Sequence, residues 1–330
     1  MQGRLNNVSL VRLIAILFIF GHHIICGFFG NASYGVLYFP SSFGVEIFLF
    51  ISAFLYGNKD ITNFRTFFKK RFLTIFLPYY IFLAMLLIVY LIYNPSLITF
   101  TEILNAVFCL YIFDGSFHSL RHFWFLPVIM LCYCLIPLLQ KLFKEDTSLK
   151  TKNFIKTLLC LIVITEFILA YNSGTHLQFT CFILGYFMAK KVDYHKVSLV
   201  LTLPLFLVTA LVYLAVRPSM DVIGTILSNG VGQICMLVMG ISFTYALLNI
   251  FDFLNNKDTP KILVWSDKIS YHFYIVHQVL LLKYLSVLWL TPYLAVNIII
   301  AFVLSCVWAY IVYLIQKGIT HLFKPKPQTT

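Results

Sequence analysis

The residues best suited to chemistry stand in the first apolar stretch. Arg12 and His23 are 11 positions apart. On an α-helix, at about 100° per residue, 11 steps return to within roughly 20° of the starting direction and climb about 16 Å. Both side chains therefore share one stripe, while His22 points about 80° away. Ionisable groups inside a bilayer cost about 2.5–3.5 kcal/mol each on insertion scales and usually face the interior of a helix bundle. A pair on one stripe thus points to a polar interior. Taken singly, Arg12 could snorkel to the inner headgroups and His23 could cap the outer end of its helix. Neutral histidine can take a hydroxyl proton near pH 7. Arginine can bind phosphate or steady developing negative charge.

Other candidates follow along the chain. Glu46 opens the second apolar stretch, where a carboxylate could orient a histidine, bind a sugar hydroxyl or face water. Ser52 lies deep in the same stretch and could hydrogen-bond its own backbone or a neighbouring helix. Lys69, Lys70 and Arg71 form a basic cluster. It either sets topology or meets phosphate on the cytoplasmic face. Trp124 and Phe125 fit an aromatic belt. Ser270, Tyr271, Tyr274 and His277 sit together late in the chain, and His277 reads most simply as a core histidine. His118, His122, Glu166 and His176 fall towards the outer side without a motif around them. A protein that takes a phosphate-bearing donor inside and serves a polar acceptor outside needs this polarity.

The elements that must position these groups are legible in composition. The 330 residues are 61% hydrophobic and 11% charged, where a soluble domain carries roughly a quarter charged residues. Mean hydropathy is +0.90. Lipid is therefore the main solvent, and only helices or closed barrels can span it. The apolar runs do not alternate as barrel strands do, so the expected fold is all-α and polytopic. Ten spans are predicted, at approximately 9–29, 42–57, 72–93, 122–142, 154–171, 176–190, 197–216, 229–250, 270–290 and 294–316. A weaker stretch, 101–113, reads as interfacial or re-entrant. The first stretch contains Arg12, His22 and His23 and is read as a mature helix, not a signal peptide.

Charge supports that count. With ten spans, all of the 24 Lys and Arg residues except Arg121, Arg217 and Lys283 fall on the side of the N-terminus. By the positive-inside rule both termini are expected in the cytoplasm. The net charge of +12 is thus a topology signal that meets anionic lipid, and nucleic acid is not an expected partner. The eight cysteines lack metal-ligand spacing and read as small buried hydrophobes. No metal and no tightly bound cofactor is expected. Residues 1–317 read as a single transmembrane domain and 318–330 as a short basic tail.

These motifs together resemble the acyltransferase-3 family of integral-membrane acyltransferases. That family includes O-acetyltransferases of bacterial O-antigen, capsule and enterobacterial common antigen, and modifiers of exported poly-N-acetylglucosamine. Its opening pattern, Asp-x-Leu-Arg-x-x-Ala with a histidine 11 positions after the arginine, is matched by Ser9 through Ala15 and His23. Gly44, Val45, Glu46, Phe48 and Ser52 resemble its second-helix pattern. Phe67, Arg71, Pro78 and Tyr79 match a third element. Trp124-Phe125-Leu126 with Tyr133 and Pro137 match a fourth, and Ser270, Tyr271, Tyr274 and His277 a fifth. Three positions depart from the pattern: Ser9 replaces Asp, Ala53 replaces Gly, and Thr74 stands where many members carry a second arginine.

The resemblance implies acetyl-CoA or another acyl-CoA as donor and a glycan or lipid-linked sugar as acceptor. It also implies location in the bacterial inner membrane. His23 would act as base, with Arg12 and Glu46 beside it. Lys69, Lys70 and Arg71 would meet the donor phosphates, and Ser52, Trp124, Tyr271 and His277 would line the substrate. Two other readings fit the same ionisable groups. One is a transporter or flippase of a polar or lipid-linked substrate. The other is the second broad class of membrane-bound O-acyltransferases, for which His277 would have to stand in a conduit.

Overall fold

The computed structural model describes residues 6–29, 43–95, 98–110, 120–173, 175–216, 222–256 and 258–322. Among these residues every regular element is helical. Eleven α-helices follow in order: α1 (Asn6–Phe29), α2 (Gly44–Gly57), α3 (Phe64–Tyr93), α4 (Phe100–Val107), α5 (Phe125–Phe143) and α6 (Leu149–Ser173). After them come α7 (Gln178–Lys191), α8 (Leu199–Val216), α9 (Val222–Ile250), α10 (Lys261–Val276) and α11 (Leu294–Leu322). Among the described residues seven helices are long and apolar enough to cross a membrane: α1, α3, α5, α6, α8, α9 and α11.

Three of the ten sequence-predicted spans differ from that pattern. Helices α2 and α7 have 14 residues each, about 21 Å at 1.5 Å per residue. Predicted span 270–290 is a helix only to Val276, where 3-10 turns at His277–Leu280 and Lys283–Leu285 take over. Asn297 holds the segment that follows these turns, donating to Leu288 O and Thr291 O, both at 2.8 Å. Apolarity continues through such a break, so hydropathy alone runs across it.

The helices cluster into two compact units. The first comprises Met1–Ile25, Phe29–Phe64 and Leu131–Val264; the second comprises Cys26–Phe28, Arg65–Met130 and Trp265–Thr330.

In the first unit α2 is the inner helix, with 11 of its 14 residues buried. It packs tightly on α7. A Cβ at Gly185 would lie 2.6 Å from Phe50 O and 3.1 Å from Ala53 Cβ. The glycine absent at position 53 is thus supplied across the interface by α7. Contacts climb both helices in step, from Glu46 with Cys181 through Phe50 with Gly185 to Gly57 with Ala189. Helices α2 and α7 therefore run parallel. Helix α9 follows the same direction, with Gly240 against Glu46 and Tyr245 against Phe50. Helix α1 runs the other way, with Asn7 bonded to Leu248 O and Phe18 against Phe243. The outward face of α8 carries Val200, Leu207 and Leu211, exposed by 83%, 58% and 67%, as a lipid-facing helix should.

In the second unit α11 packs antiparallel to α3, with Gln316 bonded to Leu73 O and Trp308 against Phe82. Short α4 opens on a capping box between Thr99 and Glu102, which satisfies helix-end donors. Its last carbonyls accept from α3, Ala106 O from Tyr79 Oη and Val107 O at 2.9 Å from Tyr80 Oη. These bonds fold α4 back along α3; residues 111–113 of the weaker stretch 101–113 lie outside the described ones. Behind α4 stands Cys109, at a φ of 55°, a left-handed conformation uncommon for a side-chain-bearing residue.

Candidate functional site

Two buried asparagines fix the rotation of α1. Asn7 Nδ2 donates to Leu248 O at 3.1 Å. Asn6 Nδ2 donates to Leu254 O at 2.8 Å and its Oδ1 accepts from Thr259 Oγ1 at 2.7 Å. With its first turn tied to the end of α9, the helix presents a defined face inward. Val8, Val11, Ala15, Ile16, Ile19 and Phe20 are buried on it. Arg12 and His23 are both half-buried. Ile16 and Ile19, which separate them on their common stripe, are 4% and 6% exposed. The stripe is therefore turned into the protein. His23 packs its ring edge-on to His22, 5.4 Å between centroids.

Close packing sets α2 against that stripe through Gly44, while Glu46, about 200° further round the helix, faces Gly240 of α9 and Cys181 of α7. A Cβ at Gly44 would lie 3.0 Å from Ile19 Cγ1 and 3.1 Å from Ala15 O. The first turn of α2 thus lies against the middle of α1, between the levels of Arg12 and His23. A carboxylate in a first turn is favoured by the helix dipole. Glu46 is 3% exposed, and its Oε1 lies 3.0 Å from His176 Nδ1. Sequence reasoning left His176 without a role. The pair is 130 residues apart, so no local spacing signals it. Ser52, one and a half turns further on, donates to Phe48 O at 2.7 Å and so bonds its own helix.

Glu166 also has a structural assignment. Its carboxylate accepts from Phe179 N at 2.8 Å, Thr180 N at 2.7 Å and Thr180 Oγ1 at 2.7 Å. It satisfies the otherwise orphaned donors at the start of α7. His176, two residues ahead of α7, is held in place from both sides.

The remaining predicted residues stand in the second unit. Arg71 is half-buried on the inward stripe of α3, between buried Phe67 and Ile75 and in line with Tyr79. Its guanidinium lies over the Phe67 ring at 5.9 Å. Lys69 and Lys70 are exposed off that stripe, as 100° per residue requires. Thr74 donates back to Lys70 O at 2.7 Å. Tyr271 Oη donates to Ile75 O at 2.8 Å. Trp124 is half-buried with its ring 6.0 Å from that of Phe125.

His277 is 1% exposed. Its Nδ1 is 3.1 Å from Phe273 O, and its ring stacks on Phe273 and meets His122 at 5.4 Å. His122 Nε2 reaches Ile275 O at 3.1 Å, and Gln278 accepts from the His122 backbone N–H at 3.1 Å. This enclosed polar knot fastens the residues before α5 to the end of α10. His277 lies buried inside it. Of the other residues singled out by sequence, His118 and the side chains of Arg121, Arg217 and Lys283 lie outside the described ones.

None of the eight cysteines is joined in a disulfide, and Cys134 and Cys160 are exposed. Among the described residues no cluster of three or more His, Cys, Asp or Glu could hold a metal ion.

The chain matches a family model described as an acyltransferase domain, that of the acyltransferase-3 family, over residues 5–314. The match spans both units. Comparison with curated proteins gives no match, and comparison with solved structures gives none either.

Proposed function

Because the chain belongs to the acyltransferase-3 family, we propose that it moves an acyl group, acetyl in the first instance, from cytoplasmic acyl-CoA to a sugar hydroxyl. The acceptor is a surface or exported polysaccharide or its lipid-linked precursor. The protein works in the bacterial inner membrane, crossing it ten times with both termini in the cytoplasm. The helix directions within the first unit support that count. Helices α2, α7 and α9, the second, sixth and eighth passes, run together, and α1 runs against them.

One observation carries the catalytic reading: the stripe from Arg12 to His23 is enclosed at Ile16 and Ile19. Neutral His23 takes the proton of the sugar hydroxyl as its oxygen attacks the thioester carbonyl. A C–O bond forms, the C–S bond breaks, and the proton passes from His23 to the departing CoA thiolate. Arg12, lower on the stripe, holds donor phosphate or steadies negative charge. Arg71 meets the CoA phosphates from its inward stripe, and exposed Lys69 and Lys70 add positive potential at the cytoplasmic face.

The test is the acetyl content of the cell's surface glycan in a His23→Ala strain with normal protein levels. Loss of the acetyl mass is expected. Glycan acetylated as in the wild type refutes the role of His23.

A further inference from the structure

The outward face of the first turns of α3 combines charge with aromatic rings. At about 100° per residue, Arg65, Lys69, Phe72, Phe76 and Tyr80 fall within one arc of about 80°. Arg65 and Lys69 are exposed at its foot, and neither meets a carboxylate among the described residues. Above them the rings of Phe72, Phe76 and Tyr80 form a ladder, with centroids 4.9 Å and then 6.2 Å apart. Phe72 is 49% exposed and Tyr80 37%. Further along the same arc Leu83 and Tyr90 are buried. Tyr80 Oη donates to Val107 O at 2.9 Å, so α4 stands where the open part of the arc ends.

We propose that this arc binds one anionic phospholipid, its phosphate at Arg65 and Lys69 and a chain along the rings of Phe72 and Phe76. The site is independent of the acyl-transfer reading, since α3 need only cross the membrane, as its length and apolarity allow.

Bulk lipid does not account for this face. A surface that merely meets lipid is aliphatic, as Val200, Leu207 and Leu211 are on α8. The α3 arc is aromatic, charged at one end and closed at the other. From Phe72 to Tyr80 it rises about 12 Å, close to one leaflet at about half of 30 Å. Guanidinium and ammonium groups donate charge-assisted hydrogen bonds to phosphate, and basic residues beside an anionic leaflet are drawn to it. The positive-inside rule explains cations at the foot, but not their alignment with a ladder of rings. Residues of an interfacial belt sit at headgroup level, whereas Phe76 and Tyr80 lie about 6 Å and 12 Å beyond Phe72. The arc carries no carboxylate or amide to recognise a sugar headgroup, so a phospholipid fits it better than a lipid-linked sugar. Arg71, about 140° from the middle of the arc, faces inward and takes no part.

The experiment uses full-length protein, delipidated in detergent. It is titrated with phosphatidylglycerol, with phosphatidylcholine of the same chains, or with inorganic phosphate, and native mass spectrometry counts the bound molecules. One phosphatidylglycerol should bind ahead of any other, about tenfold more tightly than phosphatidylcholine. Inorganic phosphate at matched concentration should not displace it. Arg65→Gln should weaken binding about fivefold and Phe72→Ala about tenfold. Both side chains are exposed, so these variants should unfold at the wild-type temperature when lipid is absent. Arg65→Lys, which keeps the charge, should bind within about twofold of the wild type. So should Lys70→Ala, which removes a charge about 120° from the middle of the arc.

Equal affinity for the two phospholipids overturns the proposal, as does a first lipid no tighter than those that follow. Equal weakening by Arg65→Gln and Lys70→Ala does so too, because it reports diffuse charge and not a site. Inorganic phosphate that binds as tightly as the phospholipid removes the role of the rings.

Discussion

Adding one methyl group at Gly240 probes how rigidly Glu46 is held. The new Cβ of Gly240→Ala would stand 2.5 Å from Glu46 Cβ, where ordinary contact begins near 3.4 Å, so one helix must yield by about 0.9 Å. The neighbours cannot absorb this cheaply, since α2 is packed against the backbone of α7 at Gly185. Overpacking of this kind costs about 1–3 kcal/mol. A displacement of that size also carries the 3.0 Å contact between Glu46 and His176 beyond hydrogen-bond range. The assay is thermal unfolding of the detergent-purified protein, in the wild-type background and in Glu46→Gly, which removes the atom that is struck. The midpoint should fall by several degrees in the first background and by less than half as much in the second. Equal losses in both, or no loss in either, would refute the steric argument, because coupling between touching residues must appear as non-additivity.

Three further outcomes follow from the geometry. Glu166→Ala leaves two backbone N–H groups and a hydroxyl at the start of α7 without their acceptor and should cost about 1–3 kcal/mol in unfolding experiments; Glu166→Gln, which keeps an acceptor oxygen, should cost less. Arg71→Ala should raise the KM for acyl-CoA more than the double change Lys69→Ala with Lys70→Ala, because only Arg71 lies on the inward stripe of α3; steady-state kinetics with the opposite ranking would contradict the donor assignment. Tyr194, in the connection between α7 and α8, has its phenol pushed up to about 12 by burial and then by its bond to Asp252. A raised value favours the protonated phenol in the folded chain. Its contribution is therefore complete below about pH 10 and is lost as pH rises through about 12. Alkaline unfolding of Tyr194→Phe should lack that part of the loss, and superimposable curves would argue against it.

Much of the architecture could be read in advance because lipid imposes simple demands. Long apolar runs such as 72–93 and 294–316 had to be helices. The stripe geometry of Arg12 and His23 was equally accessible, since helical phase is local. What stayed hidden depends on contacts between distant segments. Helices α2 and α7 look like ordinary short apolar runs, and nothing local reveals that they pack in parallel through Gly185. The break at His277 lies within a mostly apolar stretch, where hydropathy alone gives no sign of it. Lys69, Lys70 and Arg71 form one cluster in the sequence. Helical phase separates them, and Phe67, Ile75 and Tyr79 show which of the three faces inward.

The brevity of α2 and α7 has an electrical consequence. Hydrocarbon in a typical bilayer is about 30 Å thick, and a 14-residue helix covers only about 21 Å of it. Two such helices lie side by side and in register, and α2 is almost wholly shielded from lipid by its neighbours. Across a bilayer, the shortfall of about 9 Å would be taken up inside the protein. As passes of the proposed ten-span chain these helices would leave an insulating slab about a third thinner than the rest of the bilayer, and the self-energy of a charge carried across it would fall accordingly.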